Sequence, residues 1–127
     1  MLANPDFGCL LSESGGGYTW AGNSRMNQLT AWSNDPVGDP PSEWFLLQDL
    51  KTLDTWSVAP SAWGDDSVTY RIAHGQGYSV FEGRQGGLQI ETTFFADLNE
   101  AVKVVQVRVK LDSGARRRLR AVAMIEW

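Results

Sequence analysis

Residues 102–111 read Val102-Lys-Val-Val-Gln-Val-Arg-Val-Lys-Leu111. Val105, Val107, Val109 and Leu111 alternate with Val104, Gln106, Arg108 and Lys110, so one parity is apolar and the other largely polar. A helix would scatter these residues around its axis, whereas the two-residue repeat of an extended chain sends them to opposite faces. The stretch therefore predicts a β-strand with one dry face and one wet face. Asp112-Ser-Gly-Ala115 supplies turn chemistry directly after it. Beyond the turn, Leu119, Ala121, Ala123, Ile125 and Trp127 share one parity, and Arg116, Arg118 and Arg120 take the other. The two segments are expected to pair as an antiparallel hairpin, with Trp127 on the buried parity.

Upstream, residues 88–95 form a further strand introduced by Gly86-Gly87. Residues 78–81 are expected to pair with it across the glycine-rich segment 82–87, and residues 68–73 add one more strand. Short strands separated by turn signals are the pattern of a β-sandwich rather than of βαβ units. The first half is looser, with strand candidates at 8–13, 18–21 and 44–49 and a long loop between the last two. Asn23 or Ser24 could cap a helix over 24–29, but the segment is about one turn long and follows Gly22, so it reads as loop. The fold class expected is all-β, an antiparallel β-sandwich in a single domain over 1–127. Residues 121–127 are mid-strand in character with no polar tail after them, so the chain is expected to be part of a larger sandwich.

Composition bounds what such a domain does. Of 127 residues, 43% are hydrophobic and 20% charged, which favours neither disorder nor a membrane span. A net charge of −4 argues against a partner that is nucleic acid or anionic lipid. No basic stretch followed by an apolar core opens the chain, so no membrane contact and a cytoplasmic location are expected. Cys9 is the lone cysteine and His74 the lone histidine, which leaves neither a disulfide nor a metal centre to build. No cofactor is expected.

The long loop carries the recognition chemistry. In Tyr18-Thr-Trp-Ala-Gly-Asn-Ser-Arg25 and Thr30-Ala-Trp-Ser-Asn-Asp35, aromatic rings are interleaved with amide, hydroxyl, carboxylate and guanidinium groups. Rings stack on the C–H face of a pyranose, and the polar groups hydrogen-bond its hydroxyls. The same residues also suit a plainer role, with Ser33, Asn34 and Asp35 as turn formers before Pro36 and Trp20 and Trp32 as core. Glu13, Asp35, Asp39, Asp65 and Asp66 could on paper supply the carboxylate pair of a glycosidase, but local sequence singles out none, and Asp65-Asp66 reads as a solvated turn. Ser12-Glu-Ser14 before Gly15-Gly-Gly17 lacks any nucleophile or phosphate-loop pattern and reads as a bend. His74, before Gly75, suits a hydrogen-bonded structural role. The run Arg116-Arg117-Arg118 with Arg120 reads as a solvated or gatekeeper face.

Six strings taken together, in order and spacing, carry a resemblance. Leu2-Ala-Asn-Pro-Asp-Phe-Gly8, Glu13-Ser-Gly-Gly-Gly-Tyr-Thr-Trp20, Asn23-Ser-Arg25, Leu29-Thr-Ala-Trp-Ser-Asn-Asp35, His74-Gly-Gln-Gly-Tyr78 and Ile125-Glu-Trp127 resemble the N-terminal β-sandwich region of glycoside hydrolase family 94. That family includes cellobiose and chitobiose phosphorylases and cyclic β-1,2-glucan synthases, and the sequence looks nearest the synthase branch. The resemblance implies a galactose-mutarotase-like supersandwich, longer in the family than this chain, joined in the parent to an (α/α)6 barrel that holds the general acid and the inorganic phosphate site. It implies no catalytic residue here. The substrate-binding candidates it implies are Arg25, Trp32, Asn34 and Asp35, with Tyr18 and Trp20 as supports. The implied partners are a β-glucan oligosaccharide and a second copy in a homo-oligomer. Ala31 stands where relatives frequently carry proline. The alternative is a free-standing carbohydrate-binding or structural β-module.

Overall fold

The computed structural model describes residues 1–60, 67–112, 114 and 116–127, and these are all-β, with no helix among them. The strongest element is an antiparallel meander of β6 (Tyr70–His74), β7 (Tyr78–Gln85), β8 (Leu88–Ala96) and β9 (Lys103–Leu111), in that spatial order. Its period-two patterning sets its faces. Phe81, Leu88, Ile90, Thr92 and Phe94 are buried on the inner face. Arg71, Glu82, Glu91 and Arg108 fall in one cross-strand row on the outer face, where Arg71 pairs with Glu82 and Arg108 with Glu91. The β7–β8 connection is only Gly86 and Gly87, with φ of 58° and 74°. Two successive positive φ values define the hairpin turn whose twist matches that of the strands, and they require glycine-like residues.

Two smaller antiparallel sheets complete the fold. One has the order β1 (Leu2–Ala3), β2 (Phe7–Cys9), β3 (Thr19–Ala21). The other has the order β10 (Leu119–Ile125), β4 (Glu43–Asp49), β5 (Thr55–Ser57). Both pack on the inner face of the meander. Leu2, Cys9, Leu11 and Ala59 meet Phe81 and Phe94, while Leu47 and Val58 meet Leu88 and Ile90, and Phe45 touches both groups. Phe94 stands edge-on to Phe81 at 5.6 Å and to Phe45 at 5.8 Å, the offset geometry that aromatic quadrupoles favour. Burial among these groups pushes the Cys9 thiol pKa up, against the lowering effect of the Lys103 charge.

One ion pair crosses the layers. Lys103 on β9 points inward and pairs with Glu43 at the start of β4, both side chains being largely buried. The ammonium also lies 5.9 Å from the Phe45 ring centre and 5.7 Å from that of Phe94. The other Glu43 oxygen accepts from Thr19 Oγ1 at 2.5 Å and from Thr30 Oγ1 at 3.1 Å. A charge pair taken out of water holds only when its remaining hydrogen-bonding capacity is met, which the two threonines do.

The expected hairpin between 102–111 and the C-terminal segment does not form. β10 pairs instead with β4, from Leu119 opposite Asp49 to Ile125 opposite Glu43. The chain leaves the meander after Leu111 and crosses to the other sheet, where Leu119 packs beside Leu47 and Leu88. Trp127 is 89% exposed rather than buried, and Ala121 and Ala123 are exposed as well. β10 is the edge of its sheet, and only its Leu119 end overlies the apolar cluster. The expected strand 78–81 runs on through Gln85, because the turn needs two residues and not six. β1 and β5 have no counterpart in the sequence reading; at two and three residues they are too short to show a period.

Candidate functional site

The long loop spans 22–42, between β3 and β4. It starts with a turn at Ser24, Arg25 and Met26, where Asn23 Oδ1 accepts from the backbone N–H groups of Arg25 and Met26, both at 2.9 Å. The helix weighed for 24–29 is therefore a single capped turn. The loop is then tied back to β3: Thr30 Oγ1 accepts from the Thr19 N–H at 2.8 Å, and Leu29 N–H donates to the Thr19 carbonyl at 2.8 Å. Buried Thr30 thus reaches the Glu43–Lys103 pair, and the loop base is fixed to the sandwich interior.

Past this anchor the chain opens into a cleft of about 380 Å³. Leu10, Ser12, Glu13, Ser14 and Gly17 from the β2–β3 connection line one side, and residues 32–37 with Asp39 and Pro40 line the other. Asp39 joins the two. Its carboxylate accepts from Ser12 Oγ at 2.6 Å and from Ser14 Oγ, and Ser42 Oγ donates across to the Gly17 carbonyl at 3.0 Å. Gly16 permits this contact, since a Cβ there would lie 2.5 Å from Asp39 Oδ1.

An aromatic stack lies against the cleft. Tyr18 stacks on Trp32 with ring centres 4.7 Å apart and planes 18° from parallel, and its other neighbour is Trp20 at 5.2 Å. Tyr18 and Trp20 are buried, while Trp32 is 42% exposed. Trp20 packs against Gly8, where a Cβ would come within 2.5 Å of its ring. Buried Tyr18, itself packed against Trp20, therefore backs Trp32, which keeps part of its surface exposed. Such a platform with polar neighbours is suited to a sugar ring.

Asn34 and Asp35 sit beside the platform. Asn34 adopts a φ of 52°, which an asparagine tolerates better than most residues. Asp35 Oδ1 accepts from the backbone N–H groups of Val37 and Gly38, both at 3.0 Å. These two bonds hold the Asp35 carboxyl below its ordinary pKa, so the cleft keeps a carboxylate acceptor. Of the sequence candidates, the structure brings Tyr18, Trp20 and Trp32 into one stack and places Trp32, Asn34 and Asp35 on the cleft wall. Arg25 stands apart in the turn before it and does not line the cleft.

Asp39, Ser12 and Ser14 are the residues whose importance to the site the sequence did not reveal. They are distant in the chain, and neither carboxylate spacing nor local motif marks their meeting. Asp65 and Asp66 lie outside the described residues. Elsewhere, His74 Nδ1 is 2.9 Å from Ser79 Oγ, and its ring stands edge-on to Phe81, in keeping with a structural role. Among the described residues no cluster of histidine, cysteine or acidic side chains could hold a metal.

The fold is an all-β antiparallel sandwich whose cleft lies between the long loop and the β2–β3 connection, and the chain belongs to the glycosyl hydrolase 94 family, whose supersandwich domain it matches over residues 1–127. It is also similar to the cyclic beta-(1,2)-glucan synthase NdvB of Rhizobium meliloti (strain 1021), with 31% identity over 127 residues. That alignment takes in all of this chain and 4% of the synthase.

Proposed function

We propose that the chain is a non-catalytic domain serving substrate recognition and subunit contact in a carbohydrate-active enzyme acting on β-glucans, either a glycoside phosphorylase or a cyclic β-1,2-glucan synthase. The observation that carries this reading is the cleft, where exposed Trp32 is backed by Tyr18 and flanked by Asn34 and Asp35. A glucosyl ring stacks on the indole while the amide and carboxylate hydrogen-bond its hydroxyls. Bond cleavage, and the inorganic phosphate it consumes, belong to an (α/α)6 barrel of the parent protein. The edge strand β10, with Met124 46% and Ile125 43% exposed, offers backbone and apolar groups for contact with a second copy.

Titration with β-1,2-linked gluco-oligosaccharides, followed by tryptophan fluorescence and backbone NMR, tests the recognition role. Shifts centred on Trp32, Asn34 and Asp35, weakened about tenfold or more by Trp32→Ala, are expected. The same variant should lower kcat/KM in the full-length enzyme. Unchanged turnover in that variant, with no shifts at the loop, would leave the cleft a structural turn. Light scattering tests the subunit contact, which a monomer at high concentration would contradict.

A further inference from the structure

The basic run that the recognition site leaves unused is gathered by the β4–β10 ladder into a groove of its own. Leu119 opposes Asp49, and Leu50 N–H donates to the Arg118 carbonyl at 2.9 Å, so the ladder carries Arg116–Arg118 alongside the turn after β4. The resulting groove, about 410 Å³, is lined by Asp49, Leu50, Lys51, Arg116, Arg117 and Arg118. Four cations meet there against one carboxylate, on a chain whose net charge is −4.

That carboxylate is already committed. Asp49 Oδ1 accepts from the N–H groups of Lys51 at 2.8 Å and Thr52 at 3.3 Å, and Oδ2 faces Arg117 Nε at 3.9 Å. Arg117 is fixed in turn by its Nη1 bond to the Gly86 carbonyl at 2.6 Å. Among the described residues, Arg116, Arg118 and Lys51 make no ion pair with an acidic side chain. The exposed arginines of the meander each face an acid, Arg71 facing Glu82 and Arg108 facing Glu91 across strands, and Arg84 facing Asp112 just beyond β9. Three cations without an ion pair among the described residues, Lys51, Arg116 and Arg118, therefore line one groove, whereas Arg25, Lys110 and Arg120, likewise without one, do not line it.

The geometry points to an oxyanion site, and we infer that this groove binds a phosphate group, as inorganic phosphate or as a sugar phosphate monoester. Guanidinium forks match the tetrahedral oxygens of phosphate, and the lysine adds a point charge. A compact dianion feels mainly charges within a Debye length of about 8 Å, whereas an extended polyanion would meet the repulsion of the acidic chain as a whole. A single phosphate fits the observations better than a nucleic acid.

The test is NMR titration of the whole chain with inorganic phosphate and separately with glucose 6-phosphate, against glucose and chloride at matched ionic strength. Shifts at Leu50, Lys51 and the Arg116–Arg118 backbone and guanidinium resonances are expected with both phosphates. Arg116→Gln combined with Arg118→Gln should weaken the response about tenfold or more, while Arg71→Gln leaves it unchanged. Tighter binding of glucose 6-phosphate identifies a phosphorylated sugar as the source, and tighter binding of inorganic phosphate identifies the free anion. Thermal unfolding without phosphate confirms that the double variant is folded. Equal shifts with chloride, no shifts at these residues, or full binding by the double variant would each overturn the assignment.

Discussion

The meander of β6–β9 and the N-terminal sixty residues are built on opposite principles. In the meander, consecutive strands pair with each other, burial alternates along β7 and β8, and Gly86-Gly87 closes the β7–β8 hairpin. In the N-terminal part, the strands other than β4 are two or three residues long, and order comes from side chains reaching across distance: Asp39 to Ser12 and Ser14, Thr30 to Glu43, Glu43 to Lys103. The first region is a platform and the second a scaffold of anchored loops. The difference teaches that an open cleft is placed by polar anchors on loops, while the stability needed to hold it comes from regular apolar burial.

The largest effect should come from damaging the platform. Phe94 is 1% exposed and touches both Phe81 and Phe45, so Phe94→Ala leaves a cavity under all three sheets. Urea denaturation should show a loss of about 3–5 kcal/mol. Next comes the link between the regions. Lys103→Met leaves Glu43 buried without its cation and should cost about 3 kcal/mol, with hydrogen exchange rising at Thr19 and Thr30 if the pair anchors the loop. A uniform loss without local exchange would detach the loop from the pair. Gly86→Ala is smaller: it forces a Cβ into a positive φ and onto the Trp56 ring, for about 1–2 kcal/mol.

The long loop offers a sharper contrast within itself. If the cleft binds glucan, Trp32→Ala should weaken binding more than Arg25→Ala, because Trp32 lines the cleft and Arg25 does not. Equal losses in affinity by calorimetry would mean that the loop rearranges to bring Arg25 to the ligand.

The same contrast explains what the sequence could say. β8 and β9 were legible as strands because turn signals and alternation are local, and in β9 the alternation put Val105, Val107 and Leu111 on the face that packs inward, while Val109 of the same parity is 39% exposed. The partner of β10 was not legible, since parity fixes which face is apolar but not which strand lies alongside. A turn-forming Asp112-Ser-Gly-Ala115 suits a hairpin as well as a crossing between sheets. The aromatic and amide residues of the loop could be picked out by chemistry, and the family resemblance narrowed them. The Asp39 clamp and the Glu43–Lys103 pair could not be picked out, because a carboxylate distant in sequence from its donors looks like any solvated acid.

Acid should divide the two regions by the least amount, and in a direction set by three aspartates. Backbone N–H groups hold the carboxyls of Asp35, Asp49 and Asp97 below their ordinary pKa: those of Gly38 and Val37 for Asp35, of Lys51 for Asp49, and of Asn99 and Glu100 for Asp97. A carboxyl whose pKa is lower in the folded chain than in the unfolded one contributes stability that is complete above the unfolded value. That contribution disappears as pH falls through the folded value. Stability should therefore hold down to the ordinary aspartate range and decline below it. Asp35 and Asp49 close turns in the loop-built region, whereas Asp97 closes one turn of the meander. Amide exchange at low pH should accordingly rise at Val37, Gly38, Lys51 and Thr52 while the β7–β8 ladder stays protected. Asp35→Asn, which keeps the Oδ1 acceptor but removes the charge, should flatten the acid dependence without opening its turn at neutral pH. An unchanged acid profile in that variant would show that protonation of Asp35 does not govern the loop.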